Sequence, residues 1–339
     1  MASIWNLEIA VTLFFQRLGT WLAAPMSTIS LLGTQQFYML VMPALYWCID
    51  AAVGLRVGAI LLISGAINTD LKLLFRGPRP FWVSSRVKAY SVETSFGIPS
   101  GHSQNSASVW GLMGLSARRR WAAAGAILLV FLIGLSRIYL GMHFSSDVLA
   151  GWLIGALILL AFVRLEKPVK DWYLKLVLSR QLLVILFSAL AITFAEVAIH
   201  AAIAGYQLPQ EWYANAIAAT PGTPPDPLNL EEAFMLGGVW LGLLGGATWL
   251  NHYGGFDARG SLGQRAARYL IGLAGVAVFY YGLGKVLPGG MDLLGYSLSF
   301  VHSTLVGLWI SAGAPAVFRR AGLAGKPVLQ LSPSKSSLG

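Results

Sequence analysis

Apolar runs of about 18 residues or more recur along this chain, each bounded by a short polar break, and runs of that length suit the thickness of a bilayer. Nine of them read as membrane-spanning helices: residues 35–52, 57–75, 100–115, 121–140, 145–163, 181–204, 230–250, 269–286 and 293–314. Ahead of them lies NLEIAVTLFFQRLGTWL (6–22), whose polar residues are sparse. It is expected to be a helix lying in the interface, with a tenth span as the other reading. One run breaks the apolar pattern. FGIPSGHSQNSASVWG (96–111) places Ser103, Gln104, Asn105, Ser106 and Ser108 where a membrane helix should be greasy. Polar groups at membrane depth are costly and usually face a bundle interior. This stripe therefore predicts a helix that lines a wet site, with Ser106 and Ser108 serving helix packing.

Composition agrees with the pattern. The chain is 56% hydrophobic and 11% charged, where a soluble domain carries about a quarter charged residues. The expected fold is all-α: a polytopic integral membrane bundle of about nine transmembrane helices. The expected divisions are an interfacial segment at 1–34, a core at 35–163, a basic connector at 164–180, a four-helix membrane bundle at 181–318 and a tail at 319–339. Cys48 is the only cysteine and cannot form a disulfide within the chain. No signal peptide is expected, because the first residues lack a basic region and Glu8 interrupts the first apolar stretch.

The net charge of +10 could suggest nucleic acid, but its placement does not. Sixteen basic residues fall on one side of the bundle, including Arg56, Arg118 to Arg120, five from Arg164 to Arg180, Arg319, Arg320, Lys326 and Lys335. That side is predicted to be cytoplasmic. The loop 205–229 has no Lys or Arg and is predicted to face outward, with the N-terminus outside and the C-terminus inside. Six of the other basic residues crowd between Lys72 and Arg137, against the rule, and need a local reason.

Three stretches supply one: KLLFRGPRP (72–80), PSGH (99–102) and SRIYLGMHFSSD (136–147). Hairpin topology puts all three at one membrane surface, the outer one. Phosphoryl transfer needs charge stabilised on three equatorial oxygens. Lys72, Arg79 and Arg137 can supply that charge without a metal, and arginine's planar fork suits phosphate. Ser100 and Gly101 stand at the start of a helix, where backbone N–H groups bind anions. His143 and Asp147 are one helical turn apart, so the carboxylate can orient an imidazole that acts as nucleophile. His102 is placed to protonate the leaving oxygen and then to activate water.

These signatures, K-x6-R-P, P-S-G-H and S-R-x5-H-x3-D, resemble those of the type 2 phosphatidic acid phosphatase superfamily. All eleven residue identities match, within about residues 68–160. The resemblance implies Lys72, Arg79, Ser100, Gly101, His102 and Arg137 as phosphate and acid–base residues. It implies His143 as a phosphohistidine nucleophile, Asp147 as its partner, and no metal or other cofactor. RPFW (79–82), ETSFGIPSGH (93–102), SRIYLGMHF (136–144), nine spans and an outside N-terminus also resemble the glucose-6-phosphatase branch. The loop between the first two signatures is short for that branch.

Other polar residues invite blander readings. Arg86 and Lys88 can be interfacial anchors. Glu196 and His200, one turn apart in the sixth span, can be a functional pair or a neutralising contact. His302 reads as a packing residue, His252 lies at the far edge, and no histidine spacing suggests zinc. Trp240, Tyr280 and Tyr281 read as core or belt residues.

The expected function is an integral membrane phosphatase that hydrolyses a phosphomonoester or a terminal lipid diphosphate. Its expected partners are a lipid phosphate substrate and the bilayer. A soluble sugar phosphate is the alternative substrate. A lipid phosphotransferase, and a catalytically silent binding or transport protein, are the alternative classes.

Overall fold

Every regular element of this chain in the computed structural model, which describes residues 2–287 and 290–324, is a helix. Lys326, Lys335 and the tail from 325 on lie outside the described residues. The elements are α1 (Ala2–Gln16), α2 (Ala23–Leu31), α3 (Gln35–Ala44), α4 (Ala51–Phe75), α5 (Pro80–Val83), α6 (Gly101–Ser116), α7 (Arg120–Tyr139) and α8 (Ser145–Tyr173). They continue as α9 (Leu178–Ala202), α10 (Gln210–Ala219), α11 (Glu231–His252), α12 (Leu262–Ala277), α13 (Gly284–Val286), α14 (Leu293–Leu308) and α15 (Ala314–Arg320). Wider π turns, at Leu45–Ile49, Val278–Leu283 and Trp309–Gly313, extend α3 and join α12 to α13 and α14 to α15.

Seven of the described helical segments are long and apolar enough to cross a membrane. The chain is an integral membrane helix bundle, and two of the nine expected spans are not among these seven. The stretch expected at 35–52 contains Pro43 and ends in a π turn at Ile49. The stretch expected at 100–115 forms α6, which has only 16 residues, about 24 Å against a hydrocarbon core of about 30 Å. The connector expected at 164–180 is mostly helix, since α8 runs on to Tyr173.

Local chemistry sets the breaks. The Asp50 side chain caps α4 by accepting from the N–H groups of Ala52 and Val53, at 2.8 and 3.1 Å. The helix α4 stops at Arg76, which adopts a left-handed backbone at φ 51°, and Pro78 and Pro80 prevent it from resuming at once. The side chain of Ser100 caps α6. Helices α6 and α8 then approach closely because Gly151 has no side chain: a Cβ there would lie 2.6 Å from the Ser100 carbonyl oxygen.

The helices alternate in direction, so the C-terminal ends of α4, α7 and α9 and the N-terminal ends of α6, α8, α11 and α14 share one end. At this end Ile9, Phe81, Trp82, Phe96, Tyr139, Met142 and Phe144 form an apolar cluster beneath the connecting segments. The segment carrying α10 is fastened there too: Asn215 donates to the Trp82 carbonyl at 3.0 Å, and the Asp226 N–H to the Thr94 carbonyl at 3.0 Å. The turns bearing Arg118 to Arg120, Arg164 to Arg180, and Arg259 to Arg268 lie at the opposite end. Between the two ends, Tyr46 donates to the Ser311 carbonyl at 2.9 Å and Trp47 to that of Ile310 at 2.8 Å, tying α3 to the last helix.

Candidate active site

The break after α4, the start of α6 and the α7–α8 junction converge as their spacing predicts. Arg79 is fully buried. An arginine has five N–H donors, and here each has an acceptor. Nε donates to the Ser95 carbonyl at 2.7 Å, and Nη2 to Ser95 Oγ and the Phe96 carbonyl, both at 3.1 Å. Nη1 donates to the Met142 carbonyl at 3.0 Å and to His143 Nε2 at 3.3 Å. Because arginine can only donate, that contact assigns His143 an unprotonated Nε2 and a proton on Nδ1. Nδ1 faces Asp147 Oδ2 at 3.5 Å, longer than a formed hydrogen bond. Asp147 is engaged elsewhere as well: its Oδ2 accepts the Phe144 N–H at 2.9 Å.

Lys72 Nζ donates to Ser95 Oγ at 2.8 Å. Arg137 is buried, with Nη1 donating to Ser30 Oγ at 2.9 Å and Nη2 to Glu93. Its Nε–H is buried with no partner among the described residues. A buried unpaired donor is expensive, and an anion would satisfy it. Ser100 Oγ accepts from Ser103 Oγ at 3.1 Å, and the Ser100 N–H donates to the Asp147 carbonyl at 3.0 Å. Gly101 gives room to Asn68, whose Oδ1 would lie 2.9 Å from a Cβ at this position. His102 follows at the head of α6, partly buried, close to Gly33 in the turn after α2. All eight expected site residues thus lie around one end of the bundle.

Glu93 was not among the expected site residues. Its carboxylate pairs with Arg137 and lies 3.5 Å from Arg79 Nη2. Burial works to raise its pKa, but Arg79 and Arg137, helped by His102 and Lys72, outweigh burial and hold the carboxyl far below its ordinary value. Ser95 and Ser30 were also unforeseen. The only sequence signal was that Glu93 and Ser95 sit inside ETSFGIPSGH; nothing marked Ser30.

The polar stripe of α6 corrects an expectation. Ser103, Gln104, Ser106 and Ser108 are fully buried, and they bond protein rather than line a wet surface. Gln104 donates to the Ser64 carbonyl at 2.7 Å and accepts from Asn68 at 2.9 Å, while Ser64 donates to Asn105 at 2.7 Å. Gln104 and Asn105 join α6 to α4, while Ser103, Ser106 and Ser108 each donate to the residue three positions earlier in their own segment. Glu196 is buried, but it makes no ion pair with His200 among the described residues. His302 Nε2 sits 2.9 Å from the Phe279 carbonyl, satisfied in packing.

A buried cluster of cations around two histidines, set in a membrane bundle, defines a class. The PAP2 superfamily model matches residues 53–170, which contain all three signatures. The model of the PAP2 superfamily phosphatase transmembrane extension matches residues 234–326. The chain belongs to the PAP2 superfamily, as a member in which the superfamily domain is followed by that transmembrane extension. It is similar to sphingosine-1-phosphate phosphatase 1 of Mus musculus, 34% identical over 39% of this chain and 32% of the relative. It is similar to glucose-6-phosphatase 3 of Homo sapiens, 30% identical over 47% of this chain and 53% of the relative. It is similar also to phosphatidylglycerophosphatase B of Bacillus subtilis, 34% identical over 23% of this chain and 43% of the relative. The matched region spans between about a third and about a half of these relatives.

Proposed function

We propose that this protein is a membrane phosphatase that works through a phosphohistidine on His143. The observation that carries the reading is the His143 Nε2 atom, unprotonated and held 3.3 Å from Arg79. Around it stand Lys72, His102 and Arg137, whose Nε–H has no partner among the described residues. The Nε2 lone pair attacks phosphorus, and the bond to the leaving oxygen breaks toward that oxygen. His102 gives the leaving oxygen a proton. Water then attacks phosphorus, His102 takes the water's proton, and the P–N bond breaks to return Nε2. Asp147 stabilises the imidazolium that forms between the steps. Lys72, Arg79 and Arg137 carry the phosphoryl charge, with the Gly101 N–H at the head of α6, since the Ser100 N–H is already given to the Asp147 carbonyl. Side-chain cations thereby do the work a metal would do, so turnover should persist in excess chelator; loss on chelation with rescue by a divalent ion would overturn that part.

A phosphorylated lipid is the preferred substrate, because the site lies at the end of a membrane bundle where a lipid can approach laterally. Two of the similar proteins are named for lipid phosphates. A soluble sugar phosphate is the second reading, favoured by the longer similarity, 183 residues, to glucose-6-phosphatase 3. In this reading the site faces the extracytoplasmic side, and its support is the concentration of basic turns at the opposite end. The test is phosphate release by detergent-purified protein from phosphatidic acid, a prenyl diphosphate, sphingosine 1-phosphate and glucose 6-phosphate. Release from the lipids alone supports the first reading, and release from the hexose alone replaces it with the second. Phosphate moved to an alcohol without release would make the protein a phosphotransferase. Turnover of nothing would favour a silent binding role.

A further inference from the structure

The nucleophile stands immediately before α8, whose first turn presents backbone N–H groups with no partner inside the helix. Asp147 takes one of them, that of Phe144, with the same Oδ2 that faces His143 Nδ1. If the next N–H groups also lacked acceptors, they would compete for this carboxylate and draw it from the histidine. Glu8 takes them instead. Its Oε2 accepts from the Ser145 N–H at 2.9 Å and Ser145 Oγ at 2.6 Å, and its Oε1 accepts from the Ser146 N–H at 3.3 Å. An anion is favoured at a helix N-terminus.

Glu8 lies 137 residues from Ser145 in sequence, on a helix outside the matched superfamily region. That helix is firmly seated. The Trp5 ring lies 5.0 Å from Phe144, Ile9 is buried in the apolar cluster, and Gln16 donates to the Lys88 and Tyr139 carbonyls at 2.7 and 3.1 Å. Trp5 and Glu8 therefore grip the residues on either side of the Phe144–Ser145 bond, next to the nucleophile.

We propose that Glu8 is a positioning residue for phosphoryl transfer: by satisfying the first turn of α8, it leaves Asp147 free to orient His143. The idea rests on the phosphohistidine reading above. It gives α1 a task in catalysis that membrane attachment alone would not.

The test compares Glu8→Ala, Glu8→Gln and wild type, with Leu7→Ala as a control on an exposed position of the same helix. Phosphate release gives kcat and KM. In parallel, nitrogen-15 histidine spectra of the detergent-solubilised protein, assigned with His143→Gln, report the Nδ1 proton of His143. Glu8→Ala should lower kcat about tenfold or more, as expected for losing charged hydrogen bonds, with KM nearly unchanged and the His143 Nδ1 signal shifted. Glu8→Gln, which keeps an acceptor but not the charge, should fall between, and Leu7→Ala should match wild type. Wild-type kcat in Glu8→Ala would overturn the proposal. So would a joint loss of kcat, KM and melting temperature with an unmoved His143 signal, which would mark α1 as a mere cover. If wild type turns over nothing and forms no phosphoenzyme, the phosphohistidine reading fails. The spectra then decide alone, and an unshifted His143 in Glu8→Ala rejects the positioning role.

Discussion

Arg79 Nη1 donates to His143 Nε2 across 3.3 Å, so a cation already occupies the lone pair that a nucleophile needs. As attack begins, a phosphoryl oxygen must take over that N–H. The other four donors of Arg79 hold Ser95, Phe96 and Met142 and need not move. Arg79→Lys keeps the charge but cannot reach five acceptors. It should lower kcat by about 10²-fold or more, the scale seen when one aimed donor is lost. The melting temperature should fall too, because buried carbonyls lose their donors. Phosphate release and thermal unfolding check both, and wild-type values in either would refute this account.

The two histidines should fail differently. His143→Ala removes the nucleophile, so no protein-bound phosphate should form. His102→Ala leaves Nε2 and Asp147 in place but slows both proton transfers, by about 10²–10⁴-fold. Attack should persist best on a nitrophenyl phosphate, whose leaving group needs no proton. An acid-labile phosphohistidine should then accumulate in His102→Ala alone. Rapid quenching with radiolabelled substrate measures it, and label on His143→Ala would falsify the division of roles.

Glu93 already lies against Arg79 and Arg137, the cations that a bound phosphate would need. Glu93→Gln should therefore tighten inhibition by inorganic phosphate, by about tenfold for the loss of a charged hydrogen bond. Weaker inhibition would show instead that Glu93 holds the arginines in place for phosphate. The pH consequence has a definite sign. The folded carboxyl is depressed below its ordinary 4.5, so its stabilisation is fully present above that value and is lost only as pH falls through the lower folded value. Glu93 stays ionised between pH 5 and 8, and Glu93→Gln should leave the shape of the activity profile in that range unchanged.

Orientation can be read by labelling. In a Cys48→Ser background, Ser91→Cys at the site end should react with an impermeant thiol reagent in intact cells. His252→Cys, exposed at the far end of α11, should react only after the cells are broken. The opposite pattern would place the site on the cytoplasmic face.

Much of the site was legible because its parts are local. PSGH leads into α6 and His143 leads into α8, which carries Asp147 in its first turn, so each pair is close in sequence, and the hairpin order brings the pieces to one end. What could not be read depends on contacts between distant segments. Glu93 reaches Arg137 across 44 residues and Ser30 reaches it across 107; no period or spacing encodes such a meeting. The α6 stripe misled for a related reason. Polarity at membrane depth shows that partners exist, but not whether they are water or, as here, Ser64 and Asn68 of a neighbouring helix. At 35–52 hydropathy sees the apolar content but not the π turn that ends at Ile49.

The bonds from Tyr46 and Trp47 to the Ser311 and Ile310 carbonyls join residues 265 and 263 positions apart. During synthesis, a hydroxyl and an indole N–H in the π turn that extends α3 must wait for acceptors at residues 310 and 311. Until then both are polar groups in a greasy setting, where an unmade hydrogen bond is expensive. The end of α3 is thus translated early but satisfied late. A ribosome that stalls, or a stop codon before residue 310, would release a chain that carries every proposed site residue and still exposes unfinished hydrogen bonds to membrane quality control.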